Sequence, residues 1–223
     1  MAKDLLKGYV DVETHKGITT IEFFHPQSNS LPHSILDELS RIDDPKKGFE
    51  FFSGFANVIN AMRRSPRLII GRIQGKCVGG GVGLAAAADY AIAVEGADIR
   101  LSELAVGIGP FVVGPAVQRK IGLSAFSQLA IDAASWRKAE WARSKGLYAE
   151  LHDSVDGMEE SIRRLANQLA HSSPDAMSEL KKILWQGTED WDEFLIDRAE
   201  ISGRLVLSDF TKKAIAGFKS KTS

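Results

Sequence analysis

One stretch of the chain, residues 68–93, combines apolar runs with a cluster of glycines, and it constrains the fold more than any other. It opens with Leu68-Ile69-Ile70, a β-branched run that predicts a buried strand, and a second such run begins at Tyr90. Between the runs lie Gly79-Gly80-Gly81, then Gly83, then four consecutive alanines that favour a helix. A strand, a glycine turn, a helix and a second strand are typical of an α/β fold.

The consecutive glycines have two possible explanations. Glycines lose more backbone entropy on folding than other residues, so a structural or chemical requirement must account for three in a row. One requirement is that another part of the chain passes close to this backbone. The other is that N–H groups at a helix N-terminus are exposed to a ligand oxygen. The glycine stretch is compatible with both explanations.

Length and charge limit the class of protein. The 223 residues, of 24.3 kDa, predict one large domain or one domain with an appendage. A net charge of -1 favours neither nucleic acid nor an anionic membrane as a partner. No apolar run approaches the roughly 20 residues that a membrane helix needs, and no targeting peptide is expected at the N-terminus. With a single cysteine the chain has no internal disulfide, and we expect a cytoplasmic protein.

Two residues near the glycines are candidates for chemistry. Cys77 is either a nucleophile, which needs a nearby base, or a small buried residue at a strand end. Glu103 lies in a glycine-rich, mostly apolar run, where partial desolvation would raise its pKa towards values useful for proton transfer. The alternative for Glu103 is an exposed glutamate at a helix start, stabilised by backbone N–H groups.

The rest of the chain divides into two regions. Alternating residues on either side of 14–17 predict a β-hairpin. A short helix is expected over 33–42, and a second helix carries apolar residues at helical spacing, namely Phe51, Phe55, Val58 and Met62. Beyond Ser124 the chain is predicted to be mainly helical. We therefore expect an α/β core over 1–145 and a helical region over 146–223.

Several motifs that would indicate other activities are absent. The sequence contains no GxxxxGK[ST] phosphate loop, no GxSxG nucleophile elbow, no HExxH and no CxxC. Its five histidines are dispersed, and no metal site is expected. No basic stripe with interleaved aromatic residues indicates binding to nucleic acid.

The glycine stretch also carries a family resemblance. Residues 73–93 resemble the enoyl-CoA hydratase/isomerase (crotonase) family, whose signature is a strand, a triple-glycine turn and a helix ending in Ala/Cys-Asp. Residues 101–110 resemble the family's PE-x-x-x-G-x-x-P segment, and 146–150 its A-x-x-x-G-L-V segment. Residues 23–31 resemble its first substrate loop, so the resemblance covers most of the chain.

The resemblance implies a fold, an assembly and a set of site residues. It implies a crotonase-like ββα superhelix core with a helical C-terminal trimerisation region, assembled as a homotrimer or a dimer of trimers. The implied substrate is an acyl-CoA thioester, with no separate cofactor. Gly80 would donate one of two backbone N–H groups of an oxyanion hole, and Glu103 would move a proton beside the thioester. Further substrate-binding residues implied are Gly79, Gly81, Pro110, Phe111, Asn29 and Leu31.

Two departures from the family concern its side chains. Hydratases of the family usually carry a second glutamate two positions after the triple glycine, where this chain has Gly83. One carboxylate can shuttle a proton between Cα and Cγ of an enoyl thioester, which is isomerase chemistry, whereas hydration with one carboxylate is harder. Phe111-Val112-Val113 replaces residues that are commonly small, which should narrow or reshape the acyl pocket.

A third departure concerns the backbone. The family has a strand and an A-G-x-D-like turn before the helix that resembles residues 49–64, and that segment supplies the second oxyanion N–H. Here the helix predicted to end at Ile42 is followed at once by Asp43-Asp-Pro-Lys-Lys-Gly48, with no such strand or turn between them. Either a deletion has removed half of the oxyanion hole, or the natural protein carries a further stretch between these two residues.

The sequence therefore predicts an enoyl-CoA hydratase or isomerase that transfers a proton next to the thioester carbonyl. Two alternatives belong to other classes of protein. One is a non-catalytic acyl-CoA-binding or scaffold protein of the same fold, favoured if the deletion is genuine. The other is an α/β binding protein whose glycines are purely structural.

Overall fold

The structure of the chain is a computed structural model that describes residues 9–24, 39 and 41–222. Two predicted substrate-binding residues, Asn29 and Leu31, lie outside the described residues, as does most of the helix predicted over 33–42.

The described residues form an α/β arrangement whose last third is helical, as the sequence predicted. The strands are β1 (Tyr9–His15), β2 (Ile18–Phe24), β3 (Ile70–Ile73), β4 (Cys77–Val78), β5 (Tyr90–Val94), β6 (Ile99–Arg100) and β7 (Glu150–His152). The helices are α1 (Pro45–Arg64), α2 (Gly80–Ala87), α3 (Gly114–Ile131), α4 (Ala139–Ser144), α5 (Val155–Ala170), α6 (Pro174–Leu184), α7 (Trp191–Leu205) and α8 (Asp209–Thr222), with a 3₁₀ turn at Leu104–Val106.

The strands belong to three small sheets. β3, β5 and β7 form a parallel sheet with β5 in the centre, and β4 pairs in parallel with β6. β1 and β2 form the predicted antiparallel hairpin. Its turn residues Lys16 and Gly17 both have positive φ, of 48° and 79°, which a type I′ turn requires.

The first strand of the glycine stretch begins later than the sequence predicted. β3 covers Ile70–Ile73 rather than 68–70. The N–H of Ile69 donates to Asp89 Oδ2 over 2.8 Å, and its carbonyl accepts from the Asp89 N–H over 3.0 Å. Ile69 is therefore held by the residue that precedes β5, and regular pairing between β3 and β5 starts one residue later.

Helix α1 begins at a strong N-cap and packs closely against α7. The Asp44 carboxylate accepts from the N–H groups of Lys46 and Lys47 over 2.8 and 3.1 Å. A Cβ on Gly48 would lie 2.5 Å from the carbonyl oxygen of Gly203, so the two helix backbones touch at these glycines. The predicted apolar face of α1 is wrong at Val58, which is 46% exposed.

A buried carboxylate joins the glycine stretch to the helical C-terminal region. Asp89 Oδ2 lies 2.5 Å from Lys181 Nζ, and the two side chains are only 5% and 3% exposed. Asp89 Oδ1 accepts from Trp185 Nε1 over 2.9 Å. Trp185 in turn packs edge to face against Trp191, with ring centroids 5.9 Å apart. Burial lowers the pKa of Lys181, and the hydrogen bond to Asp89 opposes this by favouring the charged ammonium group.

Candidate active site

The turn before α2 has a backbone conformation that favours glycine. Gly79 has φ 53° and ψ −115°, and its N–H donates to the carbonyl oxygen of Arg100 over 2.9 Å. A residue with a Cβ would be strained in this conformation. Helix α2 starts at the next residue, Gly80, and its first turn contains Gly81 and Gly83 as well.

The carboxyl group of Glu103 lies directly over this turn. A Cβ on Gly79 would lie 3.2 Å from Glu103 Oε1 and 3.4 Å from Cδ. The backbone carbonyl of Glu103 accepts from Val106 and Ile108 over 3.2 and 3.0 Å, which fixes the residue at the start of the 3₁₀ turn. The structure thus brings Glu103 to the N-terminal end of α2.

Glu103 is held in surroundings that disfavour its charge. Its Oε2 atom is buried and has no hydrogen-bond partner among the described residues, and its side chain makes no capping hydrogen bond. Desolvation by burial raises the pKa of Glu103 to about 7. The desolvated alternative from the sequence is therefore correct, and the exposed helix-start alternative is wrong. A carboxyl group with a pKa near neutrality both accepts and releases protons readily.

The start of α2 offers backbone donors. Val82 and Gly83 donate their N–H groups to the carbonyl of Gly79 over 3.0 and 3.3 Å. Gly80 and Gly81 precede them in the first turn, where N–H groups have no acceptor within the helix. These two donors lie where a helix favours an anionic oxygen.

Two glycines of α2 are also required by close packing. A Cβ on Gly80 would lie 2.3 Å from Cε1 of Phe55, and one on Gly83 would lie 2.5 Å from Cβ of Val113. A Cβ on Gly81 would meet its nearest neighbour only at 3.8 Å, an ordinary contact. The packing explanation therefore holds for Gly80 and Gly83, and it does not explain Gly81.

The predicted residues Pro110 and Phe111 lie in the loop that leads into α3. The Pro110 carbonyl accepts from the Gly114 N–H over 2.8 Å at the start of that helix. The Phe111 ring packs on Gly109, where an added Cβ would lie 2.7 Å from Cε2. Both residues are partly buried, and the same loop brings Val113 against α2.

Phe55 was missed as a site residue by sequence reasoning. Its helical spacing from Phe51 indicated only that it faces the core. A contact between α1 and α2, which are separated by two strands, leaves no local signal in the sequence, so only the structure places Phe55 beside Gly80.

Cys77 has the properties of a packing residue. Desolvation raises the pKa of its thiol to about 11, so the thiolate is scarce at neutral pH. Its Sγ lies 3.7 Å from the carbonyl oxygen of Gly75. These observations favour the small buried residue over the nucleophile.

Residues 41–44 lead directly into α1. The N–H of Ile42 donates to the Leu39 carbonyl over 3.3 Å, and the cap of α1 follows at Asp44. No strand is formed over residues 41–44. Within the described part of the chain, β3 is hydrogen-bonded to β5 alone.

The described ranges contain neither a metal-binding cluster nor a helix suited to a membrane. No group of three or more His, Cys, Asp or Glu side chains there is placed to hold a metal ion. None of the helices in those ranges combines the length and apolar character that crossing a membrane requires.

Comparison with known proteins identifies relatives. Residues 43–221 match the sequence model of the enoyl-CoA hydratase/isomerase family. The mevalonyl-coenzyme A hydratase SIDH of Beauveria bassiana is 31% identical over 142 residues, which are 63% of this chain and 48% of that protein. The ethylmalonyl-CoA decarboxylase of Gallus gallus is 29% identical over 159 residues, 70% of this chain and 53% of that protein. The chain thus spans about half the length of these curated relatives.

A solved structure gives the fold. The crystal structure of an enoyl-CoA hydratase from Mycobacterium avium superposes with a TM-score of 0.81 at 20% identity, covering 98% of both chains. The crotonase-like fold expected from the sequence is therefore confirmed.

Proposed function

The chain belongs to the enoyl-CoA hydratase/isomerase family, and on that basis we propose that it is an enzyme that transfers a proton next to the carbonyl of an acyl-CoA thioester. In this function Glu103 is the acid and base, and the Gly80 N–H holds the thioester oxygen. Coenzyme A is part of the substrate, and no separate cofactor is required.

The observation that carries this function is the position of Glu103. Its carboxyl group has a pKa raised to about 7 by burial, an oxygen with no hydrogen-bond partner among the described residues, and a place directly over Gly79 at the start of α2. Buried polar atoms without partners are rare in folded proteins, and an acceptor kept free for a substrate proton accounts for this one.

The chemistry follows from two neighbouring groups. Removal of a proton from Cα of a thioester leaves negative charge on the carbonyl oxygen. The Gly80 N–H at the N-terminus of α2 stabilises that charge, and a single donor of this kind typically contributes about 10²–10³ in rate. Glu103 keeps the proton and returns it, so that the carboxylate is restored at the end of the cycle.

Packing at Gly83 favours a double-bond shift over hydration. Val113 fills the space beside Gly83, where a second carboxylate would otherwise be placed. With Glu103 acting alone, the proton taken from Cα is returned at Cγ and the double bond moves by one position. Hydration requires the same carboxylate to activate water and then to protonate Cα, and it is the slower reaction expected.

A non-catalytic acyl-CoA-binding or scaffold protein is the second candidate. The direct passage from Ile42 to the cap of α1 favours it, because residues 41–44 form no strand, and the family resemblance implies that a strand and turn there supply the second oxyanion donor. Intact mass separates the possibilities for this junction. A mass of 24.3 kDa indicates a true deletion, whereas a mass larger by a few kilodaltons indicates a further stretch in the natural protein.

A panel of CoA thioesters tests the proposed function. Purified protein is assayed for hydration of a 2-enoyl-CoA, for double-bond shift of a 3-enoyl-CoA, and for decarboxylation of an alkylmalonyl-CoA. The expected result is turnover of the 3-enoyl-CoA above the other two. Binding of acyl-CoA without turnover of any member would support the second candidate, and absence of binding would contradict both.

Helix α6 supports an assembly of several copies. Its buried Lys181 faces Asp89, while Leu180, Ile183 and Leu184 are 47%, 67% and 42% exposed. The ion pair of Lys181 fixes the helix, and its exposed apolar side chains form a stripe of the kind that subunit interfaces cover. We expect a homotrimer or a dimer of trimers, which light scattering on the purified protein tests.

A further inference from the structure

Phe55 and Glu103 contact adjacent glycines at the N-terminus of α2. A Cβ on Gly80 would lie 2.3, 2.9 and 3.0 Å from ring atoms Cε1, Cζ and Cδ1 of Phe55. A Cβ on the preceding Gly79 would instead meet the carboxyl group of Glu103. Two adjacent glycines are thus flanked by an aromatic ring and by an acid.

The ring is held in place by its own helix and by its neighbours. Phe55 lies edge to face with Phe51, one turn earlier on α1, with centroids 6.2 Å apart. The next residue, Ala56, and Ile59 one turn later are fully buried in the main core. Because α1 also touches α7 at Gly48, the ring has little freedom to move away from Gly80.

Phe55 is nevertheless only partly buried. Part of the ring packs against the core, and its atoms Cε1, Cζ and Cδ1 border Gly80 at the start of α2. A partly exposed aromatic ring beside backbone donors is suited to contact a bound acyl group, since apolar side chains line most small-molecule sites.

We propose that Phe55 is the residue that determines which acyl groups the site accepts, and that it excludes thioesters branched at the α carbon. The inference rests on the proposed function, in which the thioester oxygen is held at the Gly80 N–H. The α carbon is bonded to the same carbonyl carbon as that oxygen, so a methyl branch on it lies close to the residues that flank Gly80. A rigid ring at this point leaves room for a straight acyl chain and clashes with a methyl branch on the α carbon.

The test compares two saturated thioesters that differ in branching. Binding of butyryl-CoA and of isobutyryl-CoA is measured by calorimetry for the wild type, Phe55→Leu and Phe55→Ala. One methyl group in a fitted pocket changes affinity by about 10-fold or more. We expect the wild type to prefer butyryl-CoA, and both variants to shift the affinity ratio towards isobutyryl-CoA by about 10-fold.

Phe194→Leu is the matched control. Phe194 is also a partly buried aromatic residue packed on the main core, but it lies on α7 and stacks with Arg198. Thermal unfolding of each variant verifies that it is folded. If Phe55→Ala does not fold, the milder change Phe55→Leu carries the test.

The results distinguish failure of the role of Phe55 from failure of the proposed function. An unchanged ratio in folded Phe55→Leu, or the same shift in Phe194→Leu, overturns the role of Phe55 and leaves the proposed function standing. Failure of the wild type to bind either thioester overturns the proposed function, and the role of Phe55 with it.

Discussion

The side chain of Val113 occupies the space that a side chain at position 83 would need. A Cβ on Gly83 would lie 2.5 Å from Cβ and 2.6 Å from Cγ1 of Val113, and both residues are buried. The absence of a second acid at Gly83 and the bulk of Val113 are therefore one structural feature. A carboxylate could not be introduced at position 83 without removing that bulk.

This contact predicts the effect of enlarging Gly83. Gly83→Ala should lower the free energy of unfolding by about 1–3 kcal/mol, because overpacking a core forces neighbours to shift. Adding Val113→Ala should recover part of the loss. Gly54→Ala is the matched control, since Gly54 is exposed within α1 and nothing lies within 4 Å of its added Cβ. The control should gain up to about 1 kcal/mol in urea unfolding. Equal effects at Gly83 and Gly54 would contradict the account.

The buried pair of Asp89 and Lys181 predicts a second result. Lys181→Met leaves a buried carboxylate without its cation and should lower the free energy of unfolding by about 3–5 kcal/mol. Adding Asp89→Asn should recover part of this loss, because the charge is then removed. Lys182→Met is the control: Lys182 is 68% exposed and pairs with Glu179, and its loss should change stability by less than about 1 kcal/mol. A double variant less stable than Lys181→Met would contradict this assignment.

The raised pKa of Glu103 predicts a dependence of stability on pH. The folded protein binds this proton with a pKa of about 7, above the 4.5 of an ordinary glutamate. Its contribution to stability is therefore complete below about pH 4.5 and is lost as the pH rises through 7. At pH 8 the buried charge opposes folding by at most about 3 kcal/mol relative to a neutral group. Glu103→Gln should thus stabilise the protein more at pH 8 than at pH 5 in urea unfolding, and an equal effect at both pH values would contradict the burial of the charge.

Local sequence patterns predicted the elements but not their contacts. Alternation around the turn at Lys16-Gly17 gave the hairpin, and the alanines after Gly83 gave α2, since both signals are contained in a few neighbouring residues. The start of β3 was misplaced because the hydrogen bonds of Ile69 go to Asp89, which is distant in sequence.

The candidate site was predictable in part. Glu103 was selected because it stands in an apolar run, and the family resemblance pointed to the glycine turn; the structure brings these two features together. The contacts that shape the site, Phe55 on Gly80 and Val113 on Gly83, join residues of different elements. Which residues meet in these contacts depends on how the helices pack, and helix packing leaves no pattern in a single sequence.

Turnover by Glu103→Gln tests whether Glu103 transfers the substrate proton. The measurement is kcat/KM for the thioester that the panel identifies, with acyl-CoA binding measured on the same variant. Glu95→Gln, which changes an exposed carboxylate, is the control. We expect a loss of about 10²–10⁴ in kcat/KM for Glu103→Gln with binding retained, and a wild-type kcat/KM that rises with pH through about 7 as the carboxylate forms. Unchanged kcat/KM in Glu103→Gln would contradict this role of Glu103.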